Sequence, residues 1–184
     1  MIIVKKESEE PKIPNWCVNS VTLRHSDKSK IDALDAEMSK KNDEGRSMAK
    51  PFNHLRPNPS GEWQYDWSCE NWGCKWDANI IEWERLDDNM IRLHVKTAWS
   101  PPVALYEYLT EQGWKVEALY HEPALQFAGN YSSDFGEEYG EYDIADLESI
   151  EALPEDVIEF AGLREEHETG LKKTVMMKKW IDAF

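Results

Sequence analysis

The chain has 184 residues, of which 41% are hydrophobic and 31% are charged, and its formal net charge is -15. This length suits one medium domain with a hydrophobic core, and the apolar runs are too short to cross a bilayer. Three cysteines are too few for a disulfide framework, and the first residues lack the order of a secretory signal. We therefore expect a cytoplasmic protein without a membrane segment.

The negative charge is concentrated in the C-terminal third. Residues 131–168 hold fourteen Asp and Glu residues but only one Lys or Arg, Arg164. An acidic field repels phosphate backbones, which disfavours direct binding of nucleic acid. Such a run is commonly a solvated face, but on a folded surface it can imitate spaced phosphates and occupy the basic groove of a nucleic-acid-binding protein. The candidate partner-binding residues are Glu137, Glu138, Glu141, Asp143, Glu148, Glu151, Glu155 and Glu159.

The N-terminal part predicts a leader, a strand, a helix and a loop. Residues 1–13 are polar and predict a flexible leader. Residues 17–25 alternate as a strand, although Asn19 falls on the apolar face. Apolar residues at helical spacing predict a helix over 28–41, and glycine with three prolines predicts a long loop over 42–59.

Residues 63–102 hold six of the nine tryptophans, and we call them the Trp-rich segment. Two pairs of these tryptophans lie four residues apart, so on helical turns each pair would share a face and fill a core. Stacking on bases or sugars is the alternative, but such sites are flanked by Lys or Arg, and only Lys75 is basic between Trp63 and Trp83. Core packing is therefore favoured, with Lys75 and Asp77 expected to form a structural pair or to order the loop rather than to act as an acid/base couple. The predicted core aromatic residues are Trp16, Trp72, Trp76, Trp99 and Phe127.

Alternating strands and a helix follow. Residues 79–86 and 90–97 predict a hairpin with one buried face. Ser100 stands before two prolines and predicts the cap of the next helix. Residues 114–120 alternate again as a strand, and residues 125–131 predict one further strand.

This order predicts an α+β fold of the ferredoxin-like, split βαβ type, with helices on one face of an antiparallel sheet. The predicted domain covers residues 14–142, with the Trp-rich segment as an insertion and one extra strand. An acidic helical extension occupies residues 143–184.

The extension and the residues before it change character. Residues 132–142 predict an irregular loop or a hairpin tip, and short helical stretches are expected over 144–153 and 155–163. A last helix is expected after Gly170, and it has to dock on its own domain or on a partner. The apolar stripe of that helix would consist of Val175, Trp180, Ile181 and Phe184.

Five separated motifs follow one another along the chain. They are PNWCVN at residues 14–19, Phe52-Asn53 with Pro57 and Pro59, NWGCKWDA at residues 71–78, TAWSPP at residues 97–102, and FAG at residues 127–129. In this order they resemble a family of phage- and plasmid-encoded proteins with a YubB-type (Api92-like) ferredoxin-like domain. The resemblance implies that fold and a mobile-element context, and it brings no assigned activity and no catalytic residues. Cys74 departs from the threonine or other small residue expected there, and residues 143–184 lie outside the resemblance.

No motif for catalysis or metal binding stands out. Cys69 and Cys74 have a C-x4-C spacing, which is looser and less paired than the spacing of structural zinc sites. Cys17 with a histidine would need an orienting group and an oxyanion site that the sequence does not locate. Residues 134–143 are rich in oxygen ligands but lack the pattern of an EF-hand loop. We therefore expect no metal and no cofactor.

Two functions fit these observations. The first is a non-enzymatic interaction protein from a phage or plasmid that binds a host or self protein, such as a basic nucleic-acid-binding protein, in counter-defence or host takeover. The second is a small metal-dependent or Cys/His hydrolase on the same fold. Stoichiometric metal, or a concave cluster of His, Cys and acidic side chains, would favour the second.

Overall fold

The structure, a computed structural model, describes the backbone of residues 14–181 and the side chains of residues 14–172. This part of the chain forms six strands and seven helices. The strands are β1 (Trp16–Arg24), β2 (Asn79–Asp87), β3 (Met90–Ala98), β4 (Lys115–Glu122), β5 (Phe127–Ser132) and β6 (Gly136–Glu141). The helices are α1 (Lys28–Met38), α2 (Pro51–Leu55), α3 (Tyr65–Trp72), α4 (Val103–Glu111), α5 (Leu147–Glu151), α6 (Glu155–Ala161) and α7 (Leu163–Ile181).

The strands form one antiparallel sheet in the order β2-β3-β1-β4-β5-β6. The five strands predicted from alternation are confirmed, with ends that differ by at most two residues. β6 is an additional strand in a region where the sequence predicted a loop or a hairpin tip. Its sequence, GEEYGE, has none of the apolar alternation by which strands are recognised.

Helices α1 and α4 cover one face of the sheet. Alternation along β1, β3 and β4 directs their apolar side chains to this face, where they meet the apolar stripes of the two helices. The main hydrophobic core formed there includes Val21, Leu23, Ile31, Leu34, Leu93, Val95, Leu105, Leu109 and Val116. Burial of these side chains in one core fixes the register of the central strands, because a shift by one residue would turn them to the opposite face.

The C-terminal helices pack on the other face, over β4 and β5. Leu119 and Ala128 alternate with residues of the main core, so they point to the opposite side of the sheet. There they meet a second cluster that contains Ile150, Leu153, Val157, Ile158 and Leu163. The acidic helices therefore rest on a core of their own.

Of the predictions for the chain ends, one is wrong and two concern side chains that the structure does not describe. α7 runs through Gly170 without interruption, so the predicted start of the last helix after Gly170 is wrong. The apolar stripe predicted for that helix (Val175, Trp180, Ile181 and Phe184) and the predicted leader, residues 1–13, lie outside the described side chains. None of the helices within residues 14–181 combines the length and the apolar character that a bilayer span requires.

The predicted aromatic core is confirmed only in part. Trp72 is 4% exposed in the main core, and Phe127 is buried in a separate small cluster with Cys17 and Tyr120. Trp16 and Trp76 are half-buried. Trp99 is 37% exposed, so its predicted place in the core is wrong.

The helical pairing of the tryptophans is wrong for the same region. α3 ends after Trp72 because Gly73 adopts a left-handed conformation with φ 90°, and Trp76 lies beyond that end. A Cβ at Gly73 would lie 3.1 Å from the backbone nitrogen of Val103, so the close approach of α4 requires glycine. Trp63 precedes α3 and is 55% exposed.

Asn19, which interrupts the apolar alternation of β1, belongs to a buried hydrogen-bond network. Its amide donates to the Cys17 carbonyl at 3.0 Å and to Thr97 Oγ1 at 2.9 Å. The Tyr106 hydroxyl donates to Asn19 Oδ1 at 3.4 Å. The network ties β1, β3 and α4 together, and a polar residue in the core is stable there because its hydrogen bonds are satisfied.

Asp77 ties the loop that follows α3 to the first turn of α2. Its carboxylate accepts from the backbone N–H groups of Phe52 and Asn53 at 2.9 Å and from that of Ala78 at 2.8 Å. Of the two predicted roles, Asp77 has the loop-ordering one, and the described residues show no ion pair between it and Lys75. Two of the resembling motifs are thereby joined through one side chain.

Ser100 has a different role from the one predicted. Its hydroxyl donates to the Gly73 carbonyl at 2.6 Å, and the N-cap position of α4 is Pro102, which makes no side-chain cap. Ser100 therefore fastens the end of α3 to the start of α4. The prediction that it caps α4 is wrong.

Candidate functional site

All fourteen carboxylates of residues 131–168 lie exposed on β6, α5, α6, α7 and the turns next to them. We call them the acidic surface. Its members are Asp134, Glu137, Glu138, Glu141, Asp143, Asp146, Glu148, Glu151, Glu155, Asp156, Glu159, Glu165, Glu166 and Glu168. The candidate partner-binding residues all belong to it.

Four of these carboxylates are ion-paired. Arg164 donates to Glu151 at 2.7 Å and to Glu155 at 2.6 Å, Lys115 pairs with Asp134, and Lys172 pairs with Glu168. The hydrogen bonds from Arg164 lower the pKa of both glutamates. Among the described residues the other ten carboxylates have no basic side chain within ion-pair distance. Within the described side chains, most of the negative charge of the acidic surface is therefore without a paired cation.

The row expected from Glu148, Glu151, Glu155 and Glu159 is interrupted. α5 ends at Glu151 and α6 begins at Glu155, so the four glutamates lie on two helices. Arg164 bridges the middle two and compensates one of their two negative charges. Glu148 and Glu159 remain outside these ion pairs, and they are the members of the row best placed to meet a partner.

Several members of the acidic surface also stabilise local structure. Asp146 accepts from the Glu148 N–H at 3.1 Å as the N-cap of α5, and Asp143 accepts from the Ala145 N–H at 2.8 Å. Glu137 accepts from the Tyr120 hydroxyl at 2.6 Å. The geometry of β6 and α5 thus depends on part of this charge.

An open groove with a volume of about 920 Å³ lies beside the C-terminal helices, on the part of their sheet face which they leave uncovered. Ser20 and Thr22 of β1 and Arg92 and His94 of β3 line its floor, and Glu138 lines its side. Arg92 Nε donates to Thr22 Oγ1 at 3.4 Å. Hydroxyls and charges of both signs suit it to a polar polypeptide surface. The sequence indicated this groove through the polar residues that alternate with the apolar core residues along β1 and β3.

Three aromatic rings of the Trp-rich segment surround Lys75. Its ammonium lies 4.4 Å from the Trp76 ring centroid, 4.9 Å from Trp99 and 5.8 Å from Tyr65. Trp76 and Trp99 stack with centroids 6.1 Å apart. Trp99 has φ 68°, which is rare for a bulky residue and places its ring in this stack. These rings therefore hold a cation of the chain itself.

Two of the three cysteines are poorly suited to nucleophilic chemistry. Cys17 and Cys74 are buried, and burial raises the pKa of both thiols, that of Cys17 to about 12. A thiol with such a pKa stays protonated at neutral pH, whereas the thiolate is the nucleophile. Within the described residues no three His, Cys, Asp or Glu side chains are grouped so that they could share a metal ion.

No family model matches the chain, and no curated protein matches it. Among solved structures, the chain is similar to the crystal structure of a protein api92 from Yersinia pseudotuberculosis, family model DUF1281. The sequence identity is 24% and the TM-score is 0.34. The match covers 43% of this chain and 30% of that chain, so it spans less than a third of the neighbour's length.

Sequence reasoning located the carboxylates but missed two features beside them. The first is the edge strand β6, on which Glu137, Glu138 and Glu141 are carried. The second is Phe135, which is 94% exposed in the turn that leads into β6. A single phenylalanine between Asp134 and Gly136 carries no periodic signal, so its exposure is visible only in the fold.

Proposed function

We propose that this protein is a non-enzymatic interaction protein that binds a basic host or self protein through its acidic surface. The observation that carries the proposal is the set of ten exposed carboxylates without an ion-pair partner in the described part of the chain. Like charges held close together weaken a compact state. A cationic partner relieves that repulsion.

The way the carboxylates are held also supports binding. α5 and α6 are anchored by Ile150, Val157 and Ile158, which are buried in the second core. A surface that is already ordered loses little conformational freedom on binding. Spaced carboxylates on such a surface can substitute for the phosphates of nucleic acid in the groove of a basic protein.

The proposal extends to fold type and origin. β1 and β2 are both antiparallel to β3, which lies between them, and this is the strand relation of a split βαβ unit. We assign β1, α1, β2, β3, α4 and β4 to a ferredoxin-like unit to which β5, β6 and the C-terminal helices are added. The motif resemblance implies a phage or plasmid origin and a place in the cytoplasm of a bacterial host.

Charge-neutralised variants test the proposed binding. The full chain is used to capture proteins from a bacterial lysate, and the affinity for the purified partner is then measured. In the test variant, Glu138, Glu148, Glu159 and Glu165 are replaced by Gln. We expect its affinity to fall by about tenfold or more, because the variant loses four charges that attract a basic partner. The affinity should also depend less on salt, since salt weakens only Coulomb attraction, which is screened over about 10 Å at 0.1 M.

A matched control removes the same charge elsewhere. Glu62, Glu70, Glu107 and Glu111 are exposed glutamates outside the acidic surface, and all four are replaced by Gln. The control variant should bind like the unmodified protein. Equal losses in the two variants, or no loss in either, would reduce the acidic surface to a solvated face.

A further inference from the structure

The two edge strands of the sheet, β2 and β6, differ in regularity. β2 pairs with β3 through two register irregularities, between Ile80 and Glu82 and between Arg85 and Asp87. Bulges of this kind turn an edge away from further pairing. β6 pairs with β5 in unbroken register along its whole length. β6 is therefore the edge that can accept another strand.

The backbone groups that β6 offers follow from its hydrogen-bond phase. The Tyr142 N–H donates to the Gln126 carbonyl at 2.9 Å, directly after the end of β6. Antiparallel ladders alternate hydrogen-bonded and non-hydrogen-bonded pairs, so every second residue of β6 directs its N–H and C=O away from β5. These residues are Glu137, Tyr139 and Glu141.

The outer edge of β6 is open. Glu137, Tyr139 and Glu141 are exposed, with Tyr139 at 52%. Within the described chain, β5 is the one element that packs extensively against β6. Phe135 stands at the start of the strand with 94% of its surface exposed, and an aromatic side chain in that position can anchor a partner.

Charge decides which strand fits. β6 carries three glutamates and no basic residue. Side chains directly opposite each other on paired strands interact, and like charges there are destabilising. A second copy of β6 would set carboxylate against carboxylate, whereas a strand rich in Lys or Arg would form opposite-charge pairs. The glutamates of β6 therefore disfavour pairing with a second copy of β6 and favour pairing with a Lys- or Arg-rich strand.

We propose that β6 accepts an extended, Lys- or Arg-rich segment of a partner protein as a seventh strand of the sheet, with Phe135 in contact with one end of that segment. This inference rests on the proposed function and names its site and the conformation of the partner. The backbone supplies hydrogen bonds, and Glu137, Glu138 and Glu141 supply the preference for basic residues.

Amide hydrogen exchange on the full chain tests the pairing. The probe is a synthetic peptide in which lysine alternates with threonine. Its control is the same peptide with an N-methyl group on every residue, which keeps every charge and blocks strand pairing through either edge of the peptide. We expect the first peptide to protect the amides of Glu137, Tyr139 and Glu141 and the methylated peptide to leave them unprotected.

Two substitutions at one position provide a second measurement. Tyr139→Pro removes an outward N–H, and proline is tolerated at such positions of edge strands. Tyr139→Thr removes the same side chain and keeps the N–H. We expect the proline variant to bind the lysine-threonine peptide about tenfold more weakly than the threonine variant, each with the circular dichroism spectrum of the unmodified protein.

Three results would overturn the strand addition. They are equal binding of the methylated peptide, protection at β2 instead of β6, and self-association of the protein through β6. Equal binding of both peptides would still be consistent with the proposed function, which needs only charge. Conversely, if the variant with Glu138, Glu148, Glu159 and Glu165 replaced by Gln bound the partner with unchanged affinity, the proposed function would be wrong. That holds whether or not the peptide binds at β6.

Discussion

The Trp-rich segment and the acidic surface are both unusual in composition, but they treat their polar side chains in opposite ways. In the Trp-rich segment, polar side chains are drawn inward and satisfied, as Asp77 is by three backbone N–H groups. In the acidic surface, carboxylates face solvent, and only four have an ion-pair partner in the described chain. A residue of the first region is expected to contribute to stability, and a residue of the second to interactions with other molecules.

Trp72→Ala tests this comparison with the largest expected effect. Trp72 is 4% exposed, and its ring contacts Phe52 and Trp67 in the main core. Truncation of a buried tryptophan removes apolar contacts and leaves a cavity, which costs about 3–5 kcal/mol. Chemical denaturation followed by fluorescence should show this loss in the free energy of unfolding.

Trp99→Ala is the matched control for that substitution. Trp99 is 37% exposed, so the same truncation should cost clearly less than at Trp72. Because Trp99 has φ 68°, Trp99→Gly should be more stable than Trp99→Ala by about 1 kcal/mol. Equal losses at Trp72 and Trp99 would contradict the distinction between the buried and the exposed rings.

Asp77→Ala should have the next largest effect. It leaves three backbone N–H groups without their acceptor at the start of α2 and at Ala78. An unsatisfied buried donor costs about 1–3 kcal/mol, and we expect a loss of that order because water can reach part of the loop. Asp77→Asn keeps one acceptor oxygen and should lose less. A pair of variants with unchanged denaturation midpoints would show that the loop does not depend on this carboxylate.

Arg164→Gln should have the smallest effect, and only above acid pH. Arg164 lowers the pKa of Glu151 and Glu155 below their ordinary value of 4.5, so their pairing stabilises the fold above that pH and is lost as the pH falls through the lowered values. All three side chains are exposed, so the change in Tm is expected to be small.

The measurement is Tm against pH for the unmodified protein and for Arg164→Gln. The difference between the two curves should be largest near neutral pH and vanish in acid. Glu159→Gln, which breaks no ion pair in the described chain, is the control and should show no such pH-dependent loss. A difference that grows toward acid pH would reverse the sign expected from the lowered pKa values.

The sequence by itself determined the main elements of the sheet and the place of the charge. Period-2 alternation in β1, β3 and β4 reports which side chains face the core, because neighbouring side chains on a strand point to opposite faces. The fourteen carboxylates of residues 131–168 could likewise be counted without a structure, and charged side chains remain in water unless paired.

Only the tertiary structure decided how those parts meet. Trp72 and Trp99 have the same side chain, and burial separates them because Gly73 ends α3 between them and the chain turns at Trp99 with a positive φ. Arg164 pairs with both Glu151 and Glu155 because α7 returns beside α5 and α6, a contact that spacing along the chain does not encode. β6 became an edge strand through its pairing with β5, since GEEYGE carries no alternation of its own and long-range hydrogen bonds place it.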